Sequence, residues 1–170
     1  MNEVFLKVKK LNEKAIVPSK RDCDSGYDFY GIFESDFVML NPQEMIIVKS
    51  GIAVEFPKNW TMIMKERGST GTKCLAARAG VMDSNYRGEY LFPINNTGNK
   101  TIIFAADKPK IDLDVFLEEN GLQKKDVIIY PQSKAIIQGL LVYTPHIEVE
   151  VVDVLSDSIR GDGKLGSSGK

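Results

Sequence analysis

Cysteine, histidine and tryptophan are scarce in this 170-residue chain, at two, one and one. Cys23 and Cys74 cannot knit a disulfide framework, and neither stands in a CxxC or Cys/His spacing. They read as free thiols of a reducing compartment. The single histidine, His146 in Tyr-Thr-Pro-His, leaves zinc hydrolysis and Cys–His catalysis without their partners. Excess positive charge is absent too: 22 Lys+Arg against 23 Asp+Glu give a net charge of −1. That argues against polymeric nucleic acid, whose binding rests on phosphate neutralisation, but leaves room for a local cluster holding one small anion. No apolar run approaches the roughly 18 to 20 residues that span a bilayer. The first 15 residues carry charges where a signal peptide needs its apolar stretch. The expectation is a soluble, cytoplasmic protein with no membrane partner.

What is present is strand signal. Val4, Leu6 and Val8 alternate with polar residues, and apolar runs recur at residues 45–48, 52–54, 60–64, 90–92, 101–104, 127–130, 135–137 and 140–142. Val149, Val151 and Val154 mark a late strand. Turn residues such as Asp24-Ser25-Gly26, Asn41-Pro42 and Pro57-Lys58-Asn59 punctuate them. Many short strands at regular spacing predict an all-β sandwich or barrel. Hydrophobic residues at 43% suffice for a real core.

One segment differs. Leu113, Phe116 and Leu117 fall at i, i+3, i+4; Asp112 is placed to cap, and Ile111 to staple onto Phe116. Gly121 stands where a left-handed C′ residue belongs, with Leu122 able to reach back to Leu117. The spacing predicts a two-turn helix, too short to stand alone in water. The chain therefore reads as one domain over residues 1–154 with an insertion at about 97–130. A flexible glycine-rich arm over 155–170 follows, unable to bury a face.

Three constellations carry phosphate chemistry. Residues 65–73, Lys-Glu-Arg-Gly-Ser-Thr-Gly-Thr-Lys, follow an apolar strand and offer backbone N–H groups, hydroxyls and Arg67. They read either as an anion cradle or as a solvated glycine-rich loop. Residues 80–90 contain Asp83-Ser-Asn-Tyr86 between strands, either a plain turn or a hairpin that fixes Asp83 to orient a water. The end of the chain offers Arg160, Ser167, Ser168 and Lys170 among glycines, either a frayed tail or a set of phosphate donors. Asp28 reads as a strand-end carboxylate or a magnesium partner.

In this order the segments resemble the five motifs of the homotrimeric dUTPases. Asp24-Ser-Gly-Tyr-Asp28 resembles the first, Glu66-Arg-Gly-Ser69 the second, and Gly80-Val-Met-Asp-Ser-Asn-Tyr-Arg-Gly88 the third. Ser133-Lys-Ala-Ile-Ile-Gln138 resembles the fourth, and residues 160–169 the fifth. The third is the most specific. The resemblance implies a β jelly-roll (dUTPase-like β-clip) subunit, a trimer with shared sites, and conversion of dUTP and water to dUMP and pyrophosphate. It implies Asp83 as the base and Asp28 as a Mg2+ partner through water. Arg67, Ser69 and Gln138 would hold phosphates. Tyr86 would lie under the deoxyribose, and the backbone of Ala79, Gly80 and Val81 would read the uracil edge. The arm would close over a neighbour's site, with Arg160 on the γ-phosphate and Leu165, Gly166, Ser167 and Ser168 over the nucleotide.

Departures from the family pattern stand beside the match. Arg67-Gly68-Ser69 replaces Arg-Ser-Gly, so Ser69 is displaced by one position or the Gly68 N–H substitutes. Leu165 replaces an aromatic that would stack on uracil, and Ser133-Lys134 replaces Gly-Asp. The insertion resembles an extra element of some bacteriophage members, and residues 105–124 are a candidate surface for a protein partner. Two alternatives follow: a nucleotide-sensing regulator of a partner such as a repressor, and a dCTP deaminase on the same fold.

Overall fold

Short β-branched and aromatic runs pair into four small sheets in the computed structural model, which describes residues 5–78, 80–159 and 161. The first half supplies β1 (Lys7–Lys10), β2 (Tyr27–Phe29), β3 (Phe37–Leu40), β4 (Met45–Lys49), β5 (Ile52–Glu55) and β6 (Trp60–Lys65). After a one-turn helix α1 (Gly68–Gly71) come β7 (Leu75–Ala77), β8 (Val81–Met82), β9 (Leu91–Asn96) and β10 (Thr101–Ala105). Helix α2 (Leu113–Glu119), β11 (Val127–Pro131) and β12 (Ile137–Tyr143) complete the set. The sheets run β1-β5, β11-β10-β3, β2-β12-β6-β8 and β4-β9-β7. The fold is an all-β jelly roll with two short helices. Its main core packs Phe29, Leu40, Met62, Tyr90, Phe92, Ile102, Phe104 and Ile136 between the sheets.

β10 is buried at every position, which an alternating strand could not achieve. Ile102 and Phe104 enter the main core. Ile103 and Ala105 face the other way into a second cluster with Phe37, Leu117 and Val127, flanked by Phe116 and Leu113. Helix α2 is therefore the lid of a sheet. The ring of Phe116 stacks on Phe37 at 4.5 Å between centroids. Its caps match the sequence: Asp112 accepts from the Asp114 N–H at 2.8 Å. At the other end Gly121 adopts φ +67° and the Leu122 N–H reaches the Leu117 carbonyl at 2.9 Å. The predicted staple is less evident, because Ile111 stays 48% exposed.

The topology gives α2 its reason. β10 and β11 pair in parallel, Thr101 opposite Val127 through Ala105 opposite Pro131. Parallel neighbours need a crossover of about a dozen residues or more, usually helical. Residues 106–126 are that crossover. The stretch 97–130 thus opens with a turn at 97–100 and contains β10 and most of β11, so two core strands flank the crossover.

Two further expectations change. The run at 140–142 and the end of the run at 135–137 lie in one strand, β12, which starts at Ile137, with Gly139 packed against Met62 and Phe29. The late strand does not form: residues 144–159 pair with no strand among the described residues, and Ile147, Val149 and Val151 are 75%, 93% and 95% exposed. No helix among the described residues is long and apolar enough to cross a membrane.

Candidate active site

β12 is the strand that assembles the site. Gln138 pairs with Asp28 of β2 on one side and with Lys65 of β6 on the other. Three motifs distant in sequence thereby become cross-strand neighbours. β6 runs directly into α1, so Arg67, Gly68 and Ser69 emerge beside Asp28.

Arg67 is fixed by four contacts. Its Nε and Nη2 donate to the two oxygens of Asp28 at 2.8 and 3.0 Å. Its Nη1 donates to Ser69 Oγ at 3.2 Å and to the Ala135 carbonyl at 3.1 Å. The turn is locked beneath it, since the Arg67 N–H donates to Thr70 Oγ1 at 2.9 Å. Burial disfavours the guanidinium charge, but the hydrogen bonds and charge of Asp28 outweigh it and raise the Arg67 pKa. Gln138 Nε2 donates to the Glu66 carbonyl at 2.8 Å, and Glu66 Oε1 accepts the Ala77 N–H at 2.8 Å. Desolvation works against the Glu66 carboxylate, yet these backbone donors and Lys65 hold its pKa below the ordinary value. A side chain at Gly68 would meet nothing, so the exchanged order of Gly68 and Ser69 carries no steric cost.

Asp28, Arg67, Gly68, Ser69 and Gln138 line a cleft of about 770 Å³ together with residues 19–21 and 23–26. Sequence reasoning did not single out Lys20, Arg21 or Cys23 as cleft residues. The Ser19 carbonyl, which accepts the Asp28 N–H at 2.8 Å, places them. Arg21 holds Asp24 by two bonds, 2.9 and 3.0 Å. That hydrogen bonding lowers the Asp24 pKa.

The hairpin is elsewhere. β8 pairs with β6 through Met62–Met82 and Ile63–Val81, while Gln138 faces Lys65. Asp83 therefore lies three strands across and four positions along from Asp28, roughly 14 Å by 13 Å at ordinary strand spacing and rise. Arg67, Ser69, Gln138 and Asp28 come together; Asp83, Val81 and Tyr86 do not join them within one chain. The hairpin is itself well built. The Tyr86 N–H closes a turn onto the Asp83 carbonyl at 3.1 Å, and the Met64 N–H donates to the Gly80 carbonyl at 2.7 Å. The Tyr86 hydroxyl donates to the Glu89 carbonyl at 3.0 Å, and its ring stacks against Tyr90. A Cβ at Gly88 would sit 2.5 Å from the Tyr86 hydroxyl oxygen, so only glycine lets the ring lie there. Tyr86 keeps 41% of its surface open. Ala79, Arg160, Leu165, Gly166, Ser167 and Ser168 lie outside the described residues.

Among the described residues no group of three or more His, Cys, Asp or Glu could hold a metal directly. The donor set fits magnesium in one way. Each Asp28 oxygen accepts one bond from Arg67 and keeps free lone pairs at the cleft, enough for a hydrated ion that takes its other ligands from phosphates and water.

Fold and cleft together define an all-β protein with a polar cleft lined by arginine–aspartate pairs and a separate aromatic hairpin. The chain belongs to the dUTPase family, the dUTP diphosphatases, whose pattern it matches over residues 12–108. It is 29% identical to the deoxyuridine 5'-triphosphate nucleotidohydrolase of Clostridium tetani, covering 100% of both chains. It is 31% identical to that of Clostridioides difficile, over 96% of this chain and 97% of the relative. The Staphylococcus bacteriophage 80alpha dUTPase with dUPNHPP superposes at a TM-score of 0.74 and 25% identity, over 98% and 99% of the chains. Phage dUTPases of that kind control transfer of virulence genes by a proto-oncogenic G protein-like mechanism.

Proposed function

We propose that this chain hydrolyses dUTP to dUMP and pyrophosphate at sites shared between copies of a homotrimer. The observation that carries the reading is the Tyr86 platform beside an exposed Asp83, remote from the Arg67 cleft of the same chain. A nucleotide spanning both elements needs the hairpin of one copy and the cleft of another. The segment after β12 supports association: Ile147, Val149 and Val151 alternate with Glu148 and Glu150, a strand pattern without a strand partner among the described residues.

Asp83 takes a proton from a water that attacks the α-phosphorus. The new P–O bond forms as the bridging bond to the β-phosphate breaks, and pyrophosphate leaves. Arg67, Ser69 and Gln138, with the Gly68 N–H, hold the phosphate oxygens. Tyr86 packs under the deoxyribose and leaves no room for a 2′-hydroxyl. The backbone of Ala79, Gly80 and Val81 reads the uracil edge. Asp28 would hold Mg2+ through water, and the ion would supply charge neutralisation of the triphosphate. Arg160, Leu165, Gly166, Ser167 and Ser168 close the site of a neighbour.

Pyrophosphate release from dUTP, dTTP, dCTP and UTP, with and without magnesium, tests the reading. Release from dUTP alone is expected. Ammonia release from dCTP would turn the assignment to a deaminase, and no release from any nucleotide would overturn hydrolysis.

A second reading rests on α2. Its apolar face is spent on the sheet, so the outward residues Asp114, Val115, Glu118 and Glu119 stay exposed. Residues 105–124 then offer a surface to a protein partner, such as a repressor, under nucleotide control. Substituting that outer face, without deleting the segment, should abolish partner capture and spare hydrolysis.

A further inference from the structure

The cleft has a second chamber. A cavity of about 400 Å³ is lined by Asp28, Tyr30, Arg67, Ser69, Ser133, Lys134 and Ala135. It shares Asp28, Arg67 and Ser69 with the larger cleft, so the Arg67–Asp28 pair forms the wall between the two.

The charges around that wall are unequal. Arg67 is neutralised by Asp28 and Arg21 by Asp24. The ammonium of Lys20 is occupied by the Asp24 carbonyl at 2.9 Å and lies 5.5 Å from the Tyr27 ring centroid. Lys134 has no acidic partner among the described residues. Its backbone is held instead: the Lys134 N–H donates to the Pro131 carbonyl at 3.1 Å, and neighbouring Ser133 is tied to Asp107 at 2.8 Å. A rigid turn thus presents one uncompensated cation to the second chamber, across the wall from the main cleft. A triphosphate carries more negative charge than one already paired guanidinium can offset.

We infer that Lys134 is a substrate-binding residue, and that the second chamber receives the distal phosphates that leave as pyrophosphate. This rests on the phosphate-site reading of the Arg67 cleft. With the nucleoside end on a hairpin, the β- and γ-phosphates are the groups left for the two chambers that meet at Arg67, and Lys134 is the uncompensated cation there. The ammonium acts there as a point charge on a flexible stem, adding attraction without demanding one geometry.

Titration calorimetry on the full chain, at low and high salt with magnesium held constant, tests this with α,β-imido-dUTP, pyrophosphate and dUMP. Lys134→Ala should weaken the imido analogue and pyrophosphate by about two- to fivefold at low salt, the effect of one exposed charge contact. Binding of dUMP should be unchanged, the loss should shrink as salt rises, and Lys134→Arg should restore most of the affinity. Unchanged binding of all three probes in Lys134→Ala would overturn the inference, as would an equal loss for dUMP. If the unsubstituted protein binds none of the three, the underlying phosphate-site reading fails and this inference with it.

Discussion

Arg67 grips Asp28 with two parallel hydrogen bonds, so the carboxylate that the first motif supplies is first of all the seat of the second motif's arginine. A fork matched to a carboxylate fixes both position and orientation of the guanidinium. Lysine can keep the charge but not the fork. Arg67→Lys is expected to raise KM for dUTP by about tenfold or more while leaving the fold intact, because a pair about 30% exposed contributes at most about 1 kcal/mol to stability. Steady-state kinetics beside thermal melting separate the two effects.

The distance between Asp83 and Arg67 makes a sharper demand. Asp83→Asn should keep nucleotide binding and lose turnover by several orders of magnitude, and Arg67→Ala should also be inactive. Mixed, unfolded and refolded together, the two variants should regain activity, because some sites then combine a native hairpin with a native cleft. A mixture as inactive as its parts would mean that each site is built within one chain.

Tyr90 is fully buried, and its hydroxyl has no hydrogen-bond partner among the described residues. Burial pushes its pKa well above that of a free phenol. Removing an unsatisfied buried hydroxyl relieves a desolvation cost of about 1–3 kcal/mol and leaves the ring stacks on Tyr86 and Phe29 in place. Tyr90→Phe is expected to melt at the same temperature or higher. A lower melting temperature would reveal a partner for the hydroxyl.

Leu117 is the buried anchor of α2, 3% exposed against the outer face of β10. Leu117→Ala should cost about 2–4 kcal/mol in denaturant unfolding, because the site is enclosed on both sides. Val115, 46% exposed on the same helix, should tolerate serine within about 0.5 kcal/mol. Equal losses at the two positions would mean that the helix does not dock as described.

Glu66 has a depressed pKa in the folded state. Its contribution is present above the unfolded pKa, about 4.5, and is lost as pH falls through the folded value. Urea midpoints measured from neutral to acid pH should therefore decline less steeply for Glu66→Gln than for the unsubstituted protein. A parallel decline would exclude this carboxylate as a contributor to acid unfolding.

The local chemistry was legible in the chain. Asp112, Gly121 and the Leu113–Phe116–Leu117 spacing set both ends and the inner face of α2, because caps and helical periodicity act within a few residues. The strand runs were legible where they were long and apolar, as at Thr101–Ala105. Brief strands such as β7 and β8 were not, since Leu75–Ala77 and Val81–Met82 become strands only by pairing with β9 and β6. Val149 and Val151 alternate like a strand but find no partner among the described residues; periodicity states a preference, and a ladder needs a second strand.

The sequence by itself determined which residues are chemically able to hold a phosphate and the order in which they occur, because side-chain identity and turn chemistry are local. The tertiary structure decided which of them meet. The register of β12 placed Gln138 between Asp28 and Lys65 and brought Arg67 onto Asp28. The same register put Asp83 at the far side of the sheet. Cross-strand neighbours are set by hydrogen-bond pairing between segments more than seventy residues apart, and no local pattern encodes that.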